Sequence, residues 1–292
     1  MRALLLIATT AVFLTAPISN ASAAQSGYLG FDRNGYPGDA NLKTLRQTFS
    51  YSGYWLNNPP GAKTNSWLGK RKTLEEAGFG FLVLFNGRTY AEIKAAGNAA
   101  RLGSSDAATA VAAARTEGFP SQTIIFLDQE QGGRLLPEQR TYLHAWVDGV
   151  NSAHFAAGVY CSGIAAKESA SVSVVTAEDI QKNADGRKIK YWVVNDSCPP
   201  SPGCTVSTKT LAPEISGIAF AEVWQFAQSP KRPDFAGGCR ASYNHANYNK
   251  DGNCYPPGQV SERVPAIDLA HPLYVDLDVA TSGDPSHGRT HD

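Results

Sequence analysis

The stretch Gln122–Gly133, QTIIFLDQEQGG, decides the fold prediction. Its first half contains the apolar run Ile124–Leu127, which is typical of a strand that is buried on both faces. Two acids follow, Asp128 and Glu130, and because strand side chains alternate, both point to the same side. Two glycines then end the strand. A buried strand therefore delivers two acids at its C-terminal end, where parallel α/β proteins bind their ligands.

An alternative interpretation of this acid pair has to be weighed. Acids at strand ends also cap helices or pair with surface arginines, and Arg134 follows closely. A short Asp-x-Glu match recurs by chance. The rest of the chain has to decide between a cap and a functional site.

The N-terminus has the pattern of a secretory signal. Arg2 precedes the apolar run Ala3–Leu14, and Ala21-Ser22-Ala23 is a small-residue cleavage site. We expect residues 1–23 to be removed, and no later stretch has the length and apolar content of a membrane span. The expected mature protein is secreted or periplasmic, monomeric and without a membrane anchor.

Composition excludes one class of partner. Lys and Arg number 26 and so do Asp and Glu, and no basic stripe is present, which argues against nucleic acid. About 270 residues remain after the signal, a length that is normal for an α/β barrel.

Eight strand-like runs alternate mostly with helix-like segments. The runs are 27–34, 49–56, 79–85, 123–128, 155–161, 189–194, 222–227 and 273–279. This order predicts a TIM-like (β/α)8 barrel, formed as a single domain by residues 24–280, with a disordered polar tail at 281–292. Between strands three and four we expect a loop with room for one helical turn at Asn86–Gly103. A helix at Asp106–Glu117, capped by Ser104 or Ser105, is expected to follow. A doubly wound open sheet is the alternative, although no Gly-rich phosphate fingerprint follows the first strand.

Five cysteines allow a disulfide framework in an exported protein. We predict the pairs Cys198–Cys204 and Cys239–Cys254, with Cys161 buried and free; the second pair lies in a long loop before the last strand. Zinc is the rival interpretation, but no Cys-x-x-Cys or His pair has ligand spacing. The loop 247–253 faintly resembles a calcium loop, and an Asx-turn is preferred there. We therefore expect no metal and no cofactor.

Acids and aromatic residues cluster at the predicted strand ends. The acids are Asp32, Asp128, Glu130, Asp196, Asp276 and Asp278, and the aromatic residues include Tyr36, Trp55, Tyr160, Trp192 and Trp224. Glycoside cleavage needs a carboxylic acid, a second carboxylate and flat rings that stack on sugars. Ordinary barrel core is the competing explanation for each aromatic side chain.

The order of these motifs resembles a known family. GFD, a strand ending in D-x-E, then Val-Tyr, Tyr-Trp, Trp-Gln and Val-Asp-Leu-Asp resemble the family 25 glycoside hydrolases, which are secreted lysozymes with a TIM-like barrel. The chain is more similar still to the related glycoside-hydrolase-like domain of secreted bacterial proteins. The resemblance spans residues 27–279 and implies cleavage of peptidoglycan or a related polysaccharide.

The resemblance also implies roles for individual residues. Glu130 matches the general acid and Asp128 the partner carboxylate, while Asp32 and Asp276 match the acids of the first and last strands. Gln225 matches a polar residue near the site. The predicted substrate-binding set is Tyr36, Trp55, Tyr160, Trp192, Asp196, Trp224 and Gln225.

This sequence also departs from the family pattern. The loop before the last strand is longer, and Asp32-Arg33-Asn34-Gly35-Tyr36 replaces the lysozyme-type motif after strand one. A non-catalytic glycan-binding barrel, or an interaction barrel of the cell envelope, therefore stays open as an alternative function.

Overall fold

A computed structural model describes residues 27–196, 212–227 and 275–290. In chain order the elements are β1 (Tyr28–Asp32), α1 (Asp39–Arg46), β2 (Tyr51–Trp55), α2 (Arg71–Glu76), β3 (Gly80–Asn86), α3 (Tyr90–Ala95), α4 (Ala99–Thr116), β4 (Ile124–Asp128), α5 (Pro137–Ser152), β5 (Ala156–Ser162), β6 (Ala165–Lys167), β7 (Ser173–Val175), α6 (Thr176–Lys182), β8 (Lys190–Val194), a 3-10 turn (Pro213–Ser216), β9 (Val223–Ala227) and β10 (Asp276–Ala280).

Eight of these strands close into a barrel in the order β1-β10-β9-β8-β5-β4-β3-β2. The predicted TIM-like α/β barrel is thereby confirmed, and the open sheet is wrong. The short strands β6 and β7 form a separate antiparallel pair.

The last strand departs from the parallel pattern of a (β/α)8 barrel. β10 runs antiparallel to both of its neighbours, β1 and β9. We expected Asp276 at the C-terminal end of a parallel strand, whereas it begins an antiparallel one. Asp276 still reaches the same mouth, because the register pairs it with Asp32 at the C-terminal end of β1.

The core follows from continuous apolar runs in the central strands. β3 and β4 are buried along their lengths, except for Asn86, which is half-buried at the end of β3. Outside them, α4 packs closely on α5. A Cβ atom at Gly103 would lie 2.3 Å from the Tyr142 carbonyl oxygen, and one at Gly149 would lie 2.7 Å from the Ala107 Cβ. Glycine is therefore required where these two helices touch.

The segment after β3 is more helical than predicted. The short helix α3, capped by Thr89, lies where one helical turn was expected. The long helix α4 begins earlier than predicted, because the Asn98 side chain caps it by accepting from the Arg101 N–H. Ser104 and Ser105 therefore lie inside α4 rather than at its start. Asn98 is itself a favourable N-cap residue, so the sequence contained this signal before the two serines.

The polar C-terminal segment is ordered where the structure describes it, so the predicted disorder is wrong for residues 281–290. Ser286 is fully buried. Its hydroxyl accepts from the Val83 N–H and its carbonyl from the Ile124 N–H, each over 2.8 Å. The segment satisfies backbone donors of β3 and β4, which explains why a polar sequence packs against the barrel.

Several predictions concern residues outside the described ranges. These are the signal at 1–23, the cysteines 198, 204, 239 and 254, the loop 247–253 and the final two residues. Cys161 lies within the described chain and is buried and free, as predicted. None of the described helices is long and apolar enough to cross a membrane.

Candidate functional site

The acids of the opening stretch lie together, as the alternation of strand side chains predicts. Asp128, at the end of β4, is 5% exposed, and Glu130 beyond it is exposed. Both line one cavity of about 550 Å³, whose lining also includes Asn57 and Arg88. The pair therefore presents one buried and one solvent-facing carboxyl group to the same space.

The alternative interpretation is that Asp128 and Glu130 cap a helix or pair with Arg134. Other side chains perform both of these tasks. Arg134 forms ion pairs with Glu168, at 3.2 Å, and with Asp179, at 3.3 Å. The Leu136 N–H, which precedes the first turn of α5, donates to Gln139 Oε1 over 3.0 Å. This weighs in favour of a functional interpretation.

A second pair of acids lies at the junction of the first and last barrel strands. Asp32 and Asp276 stand opposite each other in the β1–β10 register, and each is 5% exposed. Gln225 on β9 donates from Nε2 to Asp32 Oδ2 over 2.7 Å. Its Oε1 accepts from the Tyr160 hydroxyl on β5 over 2.8 Å. These contacts link β1 to the side of the barrel that carries the β4 acids.

Tyr160 is the point at which both pairs meet. Burial raises the pKa of its hydroxyl well above the usual range, and the charges of Glu130, Asp128, Asp32 and Asp276 raise it further. Each of the four acids therefore lies close enough to act on this one phenol. The strand register and the hydrogen bonds agree: Asp128 stands beside Tyr160 in the β4–β5 register, and Asp32, which pairs with Asp276, is joined to Tyr160 through Gln225.

A fifth acid lies deeper in the barrel. Asp278 is fully buried, and its Oδ1 accepts from the Trp192 indole N–H over 3.0 Å. Burial, followed by the charges of Asp32 and Asp276, raises the pKa of the Asp278 carboxyl group well above its usual range. The sequence pattern marked Asp278 as a strand-end acid but indicated no role for it.

Comparison with protein families decides the family of this chain. The sequence model of the Rv2525c-like, glycoside hydrolase-like domain matches residues 51–198, which is half of the 292 residues. The chain belongs to this family. The match contains Asp128, Glu130 and Tyr160, whereas Asp32, Gln225 and Asp276 lie outside it. Comparison with curated proteins finds no significant relative.

Solved structures resemble this glycoside hydrolase-like domain at low sequence identity. An uncharacterized B. stearothermophilus protein has a TM-score of 0.50 and 17% identity, over 87% of this chain and 96% of that one. The catalytic domain of the endolysin ply40 from bacteriophage P40 of Listeria monocytogenes has a TM-score of 0.46 and 14% identity, over 91% and 100%. A bacterial lysozyme from Streptomyces coelicolor has a TM-score of 0.43 and 14% identity, over 70% of this chain and 85% of that one. The first of these supports the fold.

Three predicted stacking residues are buried in this family member. Trp55, Trp192 and Trp224 are 3%, 1% and 0% exposed, so none offers a free ring face to a sugar. Trp224 lies on the face of β9 opposite Gln225, and its indole N–H donates to the Asn195 carbonyl oxygen. The prediction that these three side chains bind sugar is therefore replaced by the competing explanation, which is packing in the barrel.

The remaining predicted binding residues are more accessible or more polar. Tyr36 is half-buried: its hydroxyl donates to Asp39 over 2.6 Å, and the Lys70 ammonium lies 5.0 Å from its ring centroid. Asp196 is half-buried just beyond the end of β8. Tyr160 is 8% exposed, and Gln225 is 2% exposed.

Sequence reasoning missed the side chains that shape the cavity. Asn57 and Asn86 clasp the loops after β2 and β3, since the Asn86 N–H donates to Asn57 Oδ1 over 2.7 Å and Asn57 Nδ2 donates to the Asn86 carbonyl oxygen over 3.0 Å. Asp106 binds Arg88 through two hydrogen bonds of 2.8 Å and accepts a third from the Tyr142 hydroxyl. Asn86 ends a barrel strand, a signal that could have placed it at the mouth.

Within the described part of the chain, no group of three or more His, Cys, Asp or Glu side chains has the geometry of a metal site.

Proposed function

We propose that this chain is an exported glycosidase that cleaves peptidoglycan or a related polysaccharide by carboxylate acid catalysis. The observation that carries the proposal is the convergence of Asp32, Asp128, Glu130 and Asp276 around Tyr160. The adjoining cavity of about 550 Å³ falls within the range of ligand pockets. Membership of a glycoside hydrolase-like family supports the same reaction class.

The two acids of β4 take complementary roles in this proposal. Glu130 is the general acid, which protonates the leaving glycosidic oxygen. Asp128 is the buried partner carboxylate, which stabilises the developing positive charge or orients an N-acetyl group of the sugar. Their different exposure suits this division, because the exposed Glu130 is accessible to a glycosidic oxygen while the buried Asp128 keeps a fixed place.

The acids of β1 and β10 complete the site. Asp32 is held by Gln225, and Asp276 lies beside it, so they form a second carboxylate wall that binds sugar hydroxyls and adjusts the charge at the mouth. The half-buried Asp196 and Tyr36 extend the sugar-binding surface.

The proposal includes the compartment and state of the protein. The N-terminal signal pattern supports export, and the disulfides Cys198–Cys204 and Cys239–Cys254 suit an oxidising compartment. The protein would act as a monomer on a polysaccharide, with no cofactor.

The test compares the wild-type chain with Glu130→Gln on peptidoglycan and on chitin-type oligomers. Loss of the general acid should lower turnover by about 10²–10⁴-fold. Glu138→Gln is the matched control, because Glu138 is exposed in the first turn of α5, away from the cavity. Equal turnover by wild type and Glu130→Gln would refute the assignment.

One observation favours a second candidate function, a glycan-binding barrel without turnover. Glu130 is exposed rather than enclosed by the barrel, an arrangement that also suits a contact with a bound glycan. Retention of the chain on insoluble peptidoglycan, without release of soluble sugar, would favour binding over cleavage. Asp128→Asn should weaken that retention, and Glu138→Gln should leave it unchanged.

A further inference from the structure

Asp278 is a fully buried acid on the last barrel strand, and its surroundings indicate a role for it. Asp278 lies two residues after Asp276 on β10, opposite Gly30 on β1, and is fully buried. Trp192 donates to its Oδ1 over 3.0 Å. Its Oδ2 is also buried and accepts no hydrogen bond from the described residues.

Another acid lies close to this carboxyl group. The side chains of Asp278 and Asp32 lie within hydrogen-bonding reach of each other. Two ionised carboxylates do not share a buried site, so contact between them requires a proton on one. Since Trp192 already donates to Asp278 Oδ1 and Gln225 to Asp32 Oδ2, the proton belongs on Asp278 Oδ2.

We propose that Asp278 is a positioning residue for the candidate site, whose protonated carboxyl group donates from Oδ2 to the Asp32 carboxylate and holds it toward Gln225 and the barrel mouth. The effect on glycan binding rests on the proposed function. The hydrogen bond from Asp278 to Asp32 does not. Asp278 stays behind Asp32 and does not touch the substrate.

The surroundings of Asp278 support a neutral carboxyl group there. Burial and the charges of Asp32 and Asp276 raise its pKa. Tyr51 on β2 and Tyr160 on β5 are the phenols that face this cluster, and burial together with the nearby carboxylates raises the pKa of both well above the usual range. Both phenols are therefore neutral at physiological pH and add no charge.

The hydrogen bond completes a continuous polar chain across the barrel. Tyr160 donates to Gln225, Gln225 to Asp32, Asp278 to Asp32, and Trp192 to Asp278. The chain joins β5, β9, β1, β10 and β8. A network in which every member is satisfied fixes the orientation of its members, which an isolated carboxylate would lack.

The first experiment observes the proton directly. The full chain is labelled with carboxyl-13C aspartate, and the carboxyl resonances are followed from about pH 4 to about pH 8, since an ordinary Asp titrates near pH 3.9. One resonance should keep the chemical shift of the protonated form at neutral pH and should be missing from Asp278→Asn. Ionised resonances only, or a protonated one that persists in Asp278→Asn, would overturn the proposal.

The second experiment tests the positioning role by comparing two variants. In Asp278→Asn the amide can still donate to Asp32 and accept from Trp192, whereas Asp278→Leu can do neither. Binding of soluble peptidoglycan fragments should weaken about tenfold in the Leu variant, the scale of one lost buried hydrogen bond, and clearly less in the Asn variant. Equal loss in both, or none in the Leu variant, would contradict the positioning role.

The two experiments separate this inference from the proposed function. If the wild-type chain neither binds nor cleaves a glycan, the proposed function fails, and the 13C titration still decides whether Asp278 holds the proton. If Asp278→Leu does not fold by near-ultraviolet circular dichroism, the titration of wild type and Asp278→Asn remains decisive.

Discussion

Gln225 donates to Asp32 over 2.7 Å and accepts from the Tyr160 hydroxyl over 2.8 Å, so one buried amide joins the first and fifth strands of the barrel. Asp32 is the acid at the end of β1, and the Tyr160 hydroxyl lies near Asp128 and Glu130. The amide thus connects two pairs of acids whose members lie far apart in the sequence.

Removal of the Gln225 amide should affect both stability and function. In Gln225→Leu, Asp32 Oδ2 loses its donor and the Tyr160 hydroxyl loses its acceptor. We expect unfolding free energy to fall by about 1–3 kcal/mol and glycan binding to weaken about tenfold. Urea denaturation and fragment titration measure these two effects. Gln181→Leu, at an exposed position of α6, should change neither, and matching behaviour of the two variants would refute the bridge.

The raised pKa of Asp278 predicts a pH-dependent stability. The folded chain keeps this proton at pH values where the unfolded chain has released it, so stability is complete below about pH 4 and decreases as pH rises. Asp278→Asn removes that loss. At neutral pH we therefore expect Asp278→Asn to be more stable than wild type.

Urea denaturation at acidic and neutral pH checks this expectation. The difference between Asp278→Asn and wild type should grow as pH rises. A constant difference, or a variant that is less stable at neutral pH, would show that Asp278 is ionised in the folded chain.

The ordered C-terminal segment predicts a stabilising role for residues 281–290. Ser286→Ala leaves the Val83 N–H without its hydroxyl acceptor and should cost about 1–3 kcal/mol of unfolding free energy. Gly80→Ala tests the same contact from the barrel side, because a Cβ there would lie 2.1 Å from the Gly283 carbonyl oxygen.

Thermal or urea unfolding compares these variants with Ser121→Ala, at an exposed position before β4. The control should match wild type. If Gly80→Ala and Ser286→Ala also match it, the segment does not contribute to stability.

Thiol counting tests the predicted disulfides together with Cys161. Burial raises the pKa of the Cys161 thiol, so it should resist a thiol reagent in the folded chain. After unfolding without reductant, one thiol per chain should react, and five should react after reduction. Cys161→Ser should remove the single reactive thiol. Three or more reactive thiols in the unreduced, unfolded wild type would show that at least one of the two predicted bridges is absent.

The sequence predicted some residues of the candidate site correctly and others wrongly. Asp128 and Glu130 were identified because alternation along one buried strand places them on one side, and both do line one cavity. Asp276 was placed at the correct mouth through the wrong strand direction. Trp192 and Trp224 were assigned to sugar binding because a residue type at a strand end does not reveal whether its ring is covered.

What the sequence determined by itself is local and periodic. The apolar run of β4 predicts a buried strand, and the number and alternation of such runs predict a barrel with acids at its mouth, because side-chain period and burial are properties of neighbouring residues. Tertiary structure alone decided the direction of β10, the bridge from Gln225 to Asp32, the contact of Asp278 with Asp32 and the docking of Ser286. These depend on which distant strands pair and in which register, and hydrophobic patterning is the same for a strand that runs up the barrel and one that runs down it.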